Sequence, residues 1–299
     1  MKIIVTGASG FVGQNLTKHM EDQKLGEVQA LSLRTTLPPS LKGDVLIHLA
    51  GKAHDVKNTS DASEYFYVNE QLTKEIFDLF LQSDVRDFIF MSSVKAIADT
   101  VEGVLHEDSP AAPLTAYGQS KYLAEQYLLS QPLPAGKRLL ILRPCMIHGP
   151  GNKGNLNLLY QLVNKGIPYP LGAYNNQRSF LSVDNLCFII EKIITQPLLP
   201  GGIYQLADDQ ALSTTELIQI IGKASGKTPR IWNFPKNIIK SFAKLGDRLH
   251  LPLNTDRLEK LTDNYIISNA KIKDLINITH MPVSAEAGLT KTIKSFCNR

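Results

Sequence analysis

Three glycines, Gly7, Gly10 and Gly13, stand at three-residue spacing in Thr6-Gly7-Ala8-Ser9-Gly10-Phe11-Val12-Gly13. An apolar run, Lys2–Thr6, precedes them, and a helical pattern with Val12, Leu16 and Met20 at steps of four follows. Glycine spacing alone is common in turns, but between a strand and a helix it has a demanding use. Gly7 allows the tight turn, Gly10 lets a pyrophosphate approach the backbone, and Gly13 lets the helix pack close to the sheet. Phe11 and Val12 begin that helix, whose first amides and partial positive charge suit phosphate oxygens. The expectation is a dinucleotide site made by Gly7, Gly10, Phe11, Val12 and Gly13.

Further near-continuous apolar strands are expected at Val28–Leu33, Asp44–Ala50, Asp87–Ser93 and Arg138–Pro144, alternating with helical stripes over 62–81 and 116–129. Strands of that texture suit a parallel sheet buried on both faces. The fold class is therefore α/β, a doubly wound parallel sheet. After Pro150 come a polar loop, a helix to about Asn164, and breaks at Pro168, Pro170 and Gly172. The expected division is a dinucleotide-binding domain over 1–168 and a smaller C-terminal α/β substrate lobe over 169–299. A strand–helix pair at about 178–194 returns to the first domain, and Gly201–Gln205 is a further strand candidate.

A net charge of +4 on 299 residues is too small to argue for nucleic acid, although it suits an anionic substrate. Cys145, Cys187 and Cys297 lie far apart without metal spacing, so no metal site is expected and a reducing compartment is. The N-terminus enters a strand without a signal-peptide pattern, and no apolar run approaches the roughly 20 residues of a membrane span. A cytoplasmic protein without an integral membrane segment is expected.

Which nicotinamide cofactor binds is set at the end of the second strand. An acid there would bond a ribose diol, but the chain has Ser32-Leu33-Arg34. Arg34 either attracts a 2′-phosphate or is a solvated loop residue; NAD and NADP both stay open, with a lean to NADP.

Tyr117 and Lys121 are four residues apart at the start of a helical pattern, hence on one face. An ammonium beside a phenol lowers its pKa from about 10, and such a tyrosine can move a hydroxyl proton while a nicotinamide exchanges hydride. Ser93 ends the strand before them, at the sheet edge where ligands of doubly wound folds bind, and its hydroxyl can bond the reacting oxygen.

With these motifs the chain resembles the extended short-chain dehydrogenase/reductase family, a Rossmann-fold family, especially its nucleotide-sugar epimerases and reductases. The resemblance rests on TGASGFVG at 6–13, HLAGKAH at 48–54, YVN at 67–69, FMSSVKA at 90–96, YGQSK at 117–121 and LRPCMIHGPG at 142–151. It implies Ser93, Tyr117 and Lys121 as the catalytic set. Ala50 and Gly51 would line the cofactor, Asn69 would brace the helix beside it, and His54 would be a loop histidine near it. Lys52 is a substrate-side candidate in the same loop. Asn155 matches a family position that bonds the substrate diphosphate or base, and Arg178 one that clamps the diphosphate, with Arg257 a weaker second phosphate ligand; the other reading of Arg178 is a salt bridge to Asp184. Family dehydratases carry an Asp-Glu pair just after the serine or threonine. Here Val94-Lys95 stand there, which argues against water elimination; Lys95 either faces the substrate's anionic part or is solvated.

The implied activity is hydride chemistry at C4 of a UDP-hexose or UDP-N-acetylhexosamine, as a 4-epimerase or, alternatively, an NADPH-dependent 4-ketoreductase. A non-catalytic cofactor-sensing regulator is disfavoured because Tyr117 and Lys121 are both present. The resemblance also implies a homodimer through helices at 62–82 and 116–130, with Phe66, Phe77, Phe80 and Tyr127 off the core stripe; the other reading of these aromatics is the core of a monomer. Finally, Lys236–Leu249 sets Ile238, Ile239, Phe242 and Leu245 against Lys236, Lys240, Lys244 and Arg248. That stripe either packs on the lobe or meets anionic lipid.

Overall fold

In the computed structural model, residues 1–34, 37–53, 61–152, 155–249 and 254–297 are described, without the side chains of residues 155, 256, 257 and 260. In chain order the strands are β1 (Lys2–Thr6), β2 (Glu27–Leu31), β3 (Val45–His48), β4 (Asp87–Met91), β5 (Val104–Leu105), β6 (Arg138–Pro144), β7 (Met146–His148), β8 (Phe180–Ser182), β9 (Gly202–Leu206) and β10 (Ile266–Ile267). The helices are α1 (Phe11–Asp22), α2 (Ala62–Phe66), α3 (Leu72–Leu81), α4 (Ala116–Ser130), α5 (Asn155–Asn164), α6 (Val183–Thr195), α7 (Thr214–Ser225), α8 (Lys236–Leu249), α9 (Thr255–Thr262), α10 (Ala270–Leu275) and α11 (Ala285–Cys297).

Six strands form one parallel sheet in the order β2-β1-β3-β4-β6-β9, with Ile3 of β1 opposite both Val28 and Val45. β1 and β3, β4 and β6 bury nearly every side chain because helices cover both faces. One face packs Ile76, Phe77 and Phe80 of α3 and Leu128 of α4 against Phe88 and Phe90. The other packs Leu16 and Met20 of α1 and Ile189, Ile190 and Ile193 of α6. The chain runs outward from β1 to β2 and then resumes on the other side at β3. Their carboxyl ends flank the switch point where ligands of doubly wound sheets bind. A third, separate hydrophobic cluster brings together Leu217, Ile218 and Ile221 of α7, Ile239 of α8 and Leu289 and Ile293 of α11.

Several expectations change. β2 is not buried on both faces: it is an edge strand, with Glu27, Gln29 and Ala30 exposed, and it stops at Leu31. The returning strand β8 pairs with β7 in a separate two-stranded sheet, while β9 is the strand that extends the central sheet. The single helix expected over 62–81 is three pieces, because a π-helical turn at Tyr67–Gln71 inserts between α2 and α3. Phe77 and Phe80 cannot face a partner subunit, since both are fully buried in the sheet's core. Phe66 and Tyr127 are half-buried, the latter's hydroxyl donating to Asp78 at 2.6 Å. Among the described residues no helix is long and apolar enough to cross a membrane.

Candidate active site

The glycine loop leaves β1 with Gly7 at φ +69°, the left-handed region that glycine enters without strain. A Cβ on Gly7 would lie 2.7 Å from the Ala50 nitrogen, and one on Gly13 2.3 Å from the Gly7 oxygen. Gly13 thus lets α1 close onto the loop itself, a tighter contact than the expected approach to the sheet. Gly10 is the N-cap of α1 and offers no side-chain acceptor, so the amides of Phe11, Val12 and Gly13 are left for phosphate oxygens. This cradle fits the pyrophosphate of a dinucleotide.

The neighbouring loop, after β3, is held by a buried relay. The Ala50 N–H donates to Thr6 Oγ1 at 3.2 Å, and Thr6 lies 2.7 Å from His48 Nδ1. His48 Nε2 lies 2.9 Å from Thr73 Oγ1, whose hydroxyl donates to the Asn69 carbonyl at 2.7 Å. Because that hydroxyl is spent on Asn69, His48 must donate from Nε2 and accept at Nδ1. Burial, then the Lys121 charge, lowers its pKa to about 3, so it is neutral. Asn69, on the π-helical turn, accepts from the Lys52 N–H at 2.8 Å and donates to the Lys52 oxygen and to Ser120 Oγ, both at 3.0 Å. The extra residue of the π-turn aims Asn69 at both the loop and α4.

Beyond β4 the side chains alternate. Ser92 turns inward to Glu125, and Ser93 turns to the opposite side, where it acts on the Tyr117 phenol. Ser93 Oγ also accepts from the Lys95 N–H at 3.2 Å. Asp99 accepts from the N–H groups of Leu114 and Thr115, and Thr115 caps α4 by accepting from Gly118 at 3.2 Å. Gly118 lies against the Lys95 carbonyl, 2.4 Å from where a Cβ would stand, so α4 starts directly beside Ser93. The phenol of Tyr117 is pushed up by burial, with Ser93 pulling it down and Tyr65 adding to the rise. That is opposite to the lowering expected from the lysine: Lys121 Nζ donates to the Met91 carbonyl at 2.8 Å and lies 4.7 Å from the Phe90 ring. Burial lowers Lys121 to about 8, with Glu125 opposing. Its ammonium would stand 3.1 Å from a Cβ on Gly51, which places it at the floor of the Ala50–Lys52 loop.

Beneath this face, Glu125 receives Arg143 through Nε at 3.0 Å and Nη2 at 2.6 Å, and both residues are buried. Glu125 follows Lys121 by one turn, a spacing visible in the sequence; Tyr65 was legible only as part of the 62–81 stripe and Arg143 only as part of a strand and motif, while Tyr265 carried no local signal. Tyr65 stands edge-on to Tyr117 with ring centroids 6.3 Å apart. Tyr265 donates to the Ala98 carbonyl at 2.6 Å.

The substrate-side residues fall into different settings. Lys95 is not simply solvated: it donates to the Asp99 carbonyl at 2.8 Å and sits 4.4 Å from the Tyr265 ring centroid. The Lys52 ammonium pairs with Glu64 and lies 5.5 Å from the Tyr65 ring centroid. Arg178 is half-buried; burial lowers its pKa while Asp263 and Tyr265 raise it. Asp184 instead takes Lys291 at 2.8 Å. Arg34 is exposed, its N–H 3.3 Å from Ser32 Oγ, with no carboxylate among Ser32, Leu33 and Arg34. His54 and the side chains of Asn155 and Arg257 lie outside the described residues. Cys145 and Cys187 are buried, which pushes Cys187 up to about 12 and Cys145 well above the ordinary thiol value.

Residues 35–207 match the NAD dependent epimerase/dehydratase family. The chain is 29% identical to a UDP-glucose 4-epimerase of Vibrio cholerae, over 98% of this chain and 95% of that protein. It is 25% identical to the N-acetyl-alpha-D-glucosaminyl-diphospho-ditrans,octacis-undecaprenol 4-epimerase of Escherichia coli O157:H7, over 98% and 94%. In fold it is similar to the crystal structure of UDP-N-acetylglucosamine 4-epimerase from Bacillus cereus, with a TM-score of 0.77, 19% identity and all of both chains covered.

Proposed function

Because the chain belongs to the NAD dependent epimerase/dehydratase family, we propose that it is a 4-epimerase of a UDP-hexose or UDP-N-acetylhexosamine. The observation that carries the reading is that Ser93 acts on the Tyr117 phenol, lowering its pKa, with Lys121 buried one turn along the same helix face. Tyr117, held as phenolate by the Lys121 ammonium and the positive charge that a nicotinamide would bring, would take the proton of the sugar's C4 hydroxyl and return it after the sugar has turned over. Ser93 bonds the same oxygen, holding it against the phenol. Lys121 holds its ammonium at the Ala50–Lys52 loop, where it would bond the nicotinamide ribose. A nicotinamide in the glycine cradle would accept hydride from C4 and give it back. Arg178 supplies a fixed guanidinium to the diphosphate. With Val94-Lys95 in place of an acid pair, nothing there performs 4,6-dehydration.

One observation favours a second reading, the NADPH-dependent 4-ketoreductase. The end of β2 presents Ser32 and exposed Arg34 in place of a carboxylate, which suits a 2′-phosphate and an exchangeable cofactor. Purified protein incubated with UDP-hexoses, UDP-N-acetylhexosamines and a polyprenyl diphosphate N-acetylglucosamine separates the two. Inversion at C4 without added NADPH supports the epimerase; NADPH consumption with a 4-keto-6-deoxy sugar supports the reductase; neither outcome defeats both. A cytoplasmic homodimer belongs to this proposal, with exposed Tyr67 and Leu123 replacing Phe77 and Phe80 as contacts. A monomer in sedimentation at micromolar concentration removes the dimer.

A further inference from the structure

α8 has two apolar edges and only one of them is covered. At about 100° per residue, Ile239, Ala243 and Gly246 turn inward and are buried against the lobe. Ile238, Phe242, Leu245 and Leu249 fall on a separate narrow stripe facing solvent, with Phe242 60% exposed and Leu249 59%. Just before the helix, Trp232 and Phe234 are also exposed and pack edge to face at 5.7 Å. Six large apolar side chains thus lie at the surface within 18 residues, Trp232 to Leu249. Exposed apolar surface on that scale marks a contact site.

The charge around it identifies the contact. Residues 227–249 hold six Lys and Arg against the single acid Asp247, a net +5, whereas the rest of the chain sums to −1. Asp247 is turned to α9, accepting from the Thr255 N–H at 3.0 Å. Lys244 and Arg248 follow the exposed stripe on the helix surface, and Lys240 lies further round; all three are exposed. Such side chains lay their stems along apolar surface and raise their charges to the headgroup level. A second copy of this chain would bring +5 against +5 in a two-fold contact, which repels. An acidic, apolar-cored surface satisfies both features, and an anionic bilayer is that surface.

We propose that α8 and the preceding Trp232–Phe234 segment dock the protein on anionic membrane, with the Ile238/Phe242/Leu245/Leu249 stripe in the interface plane. Trp232 is the only tryptophan, so its fluorescence reports the contact directly. The full chain is mixed with vesicles of phosphatidylglycerol and phosphatidylethanolamine, or of phosphatidylcholine alone, at low salt. A blue shift of Trp232 and flotation with the first but not the second are expected. Phe242→Ser with Leu245→Ser should lower the partition at least tenfold, and neutralising Lys240, Lys244 or Arg248 to Gln about fivefold each. The three Gln variants alter only exposed side chains, so they decide the matter should the apolar variant fold poorly. No flotation with anionic vesicles, or binding that the Gln variants leave unchanged, overturns the proposal. So does a concentration-dependent dimer in sedimentation that Phe242→Ser dissolves.

Discussion

Asn69 grips the backbone of Lys52 at both ends, accepting from its N–H at 2.8 Å and donating to its oxygen at 3.0 Å. The same amide reaches Ser120 on α4, so one buried side chain ties the Ala50–Lys52 loop to the helix that carries Tyr117 and Lys121. Asn69→Ala leaves the Lys52 backbone and Ser120 without these partners. A stability loss of about 1–3 kcal/mol is expected in denaturant unfolding. Cofactor affinity, followed by nicotinamide titration, should weaken by about tenfold. An unchanged affinity separates the loop from the cofactor site.

His48 gives the fold a signed acid response. Its folded pKa is lowered to about 3 by burial and by Lys121, while the unfolded value is about 6.5. Above pH 6.5 both states are neutral and the relay is intact. As pH falls from 6.5 towards 3, the unfolded chain takes the proton first, so stability drops by up to about 1.4 kcal/mol per unit. Urea midpoints measured from pH 7.5 to 4.5 should show this slope. In His48→Gln the midpoint at neutral pH falls while the acid slope flattens; an equal slope in both proteins assigns the acid response elsewhere.

Gly118 fixes where α4, the helix of Tyr117 and Lys121, begins. A Cβ there would stand 2.4 Å from the Lys95 carbonyl, a backbone atom that cannot rotate away. Gly118→Ala must push the first turn of α4 off Ser93 and with it Tyr117. Turnover should fall by about 10–100-fold while far-UV dichroism stays native, because a shift near 1 Å is enough to spoil the reacting geometry. Native turnover in this variant shows that the contact does not position Tyr117.

The glycine loop, the buried strands and the Tyr117–Lys121 helix were legible in the sequence because each follows a local period. The edge position of β2 was not, since its residues are apolar enough for a buried strand and only the pairing order exposes them. Phe77 and Phe80 misled for a related reason: α3 follows a π-turn, which rotates its face away from the register set by 62–66. The relay through Thr6, His48, Thr73 and Asn69 joins positions up to 67 residues apart, and no spacing rule links them. Lys121 was found by spacing, but its inward setting towards Met91 and the burial that raises the Tyr117 phenol are supplied only by the packed structure.

The central claim is that the Tyr117 phenol moves the proton at C4. Tyr117→Phe keeps the ring and removes only the hydroxyl, so steady-state turnover on the identified nucleotide sugar tests it directly. Turnover should fall by about 10²-fold or more, with cofactor affinity within about twofold of native. Near-native turnover in the phenylalanine variant would contradict the account.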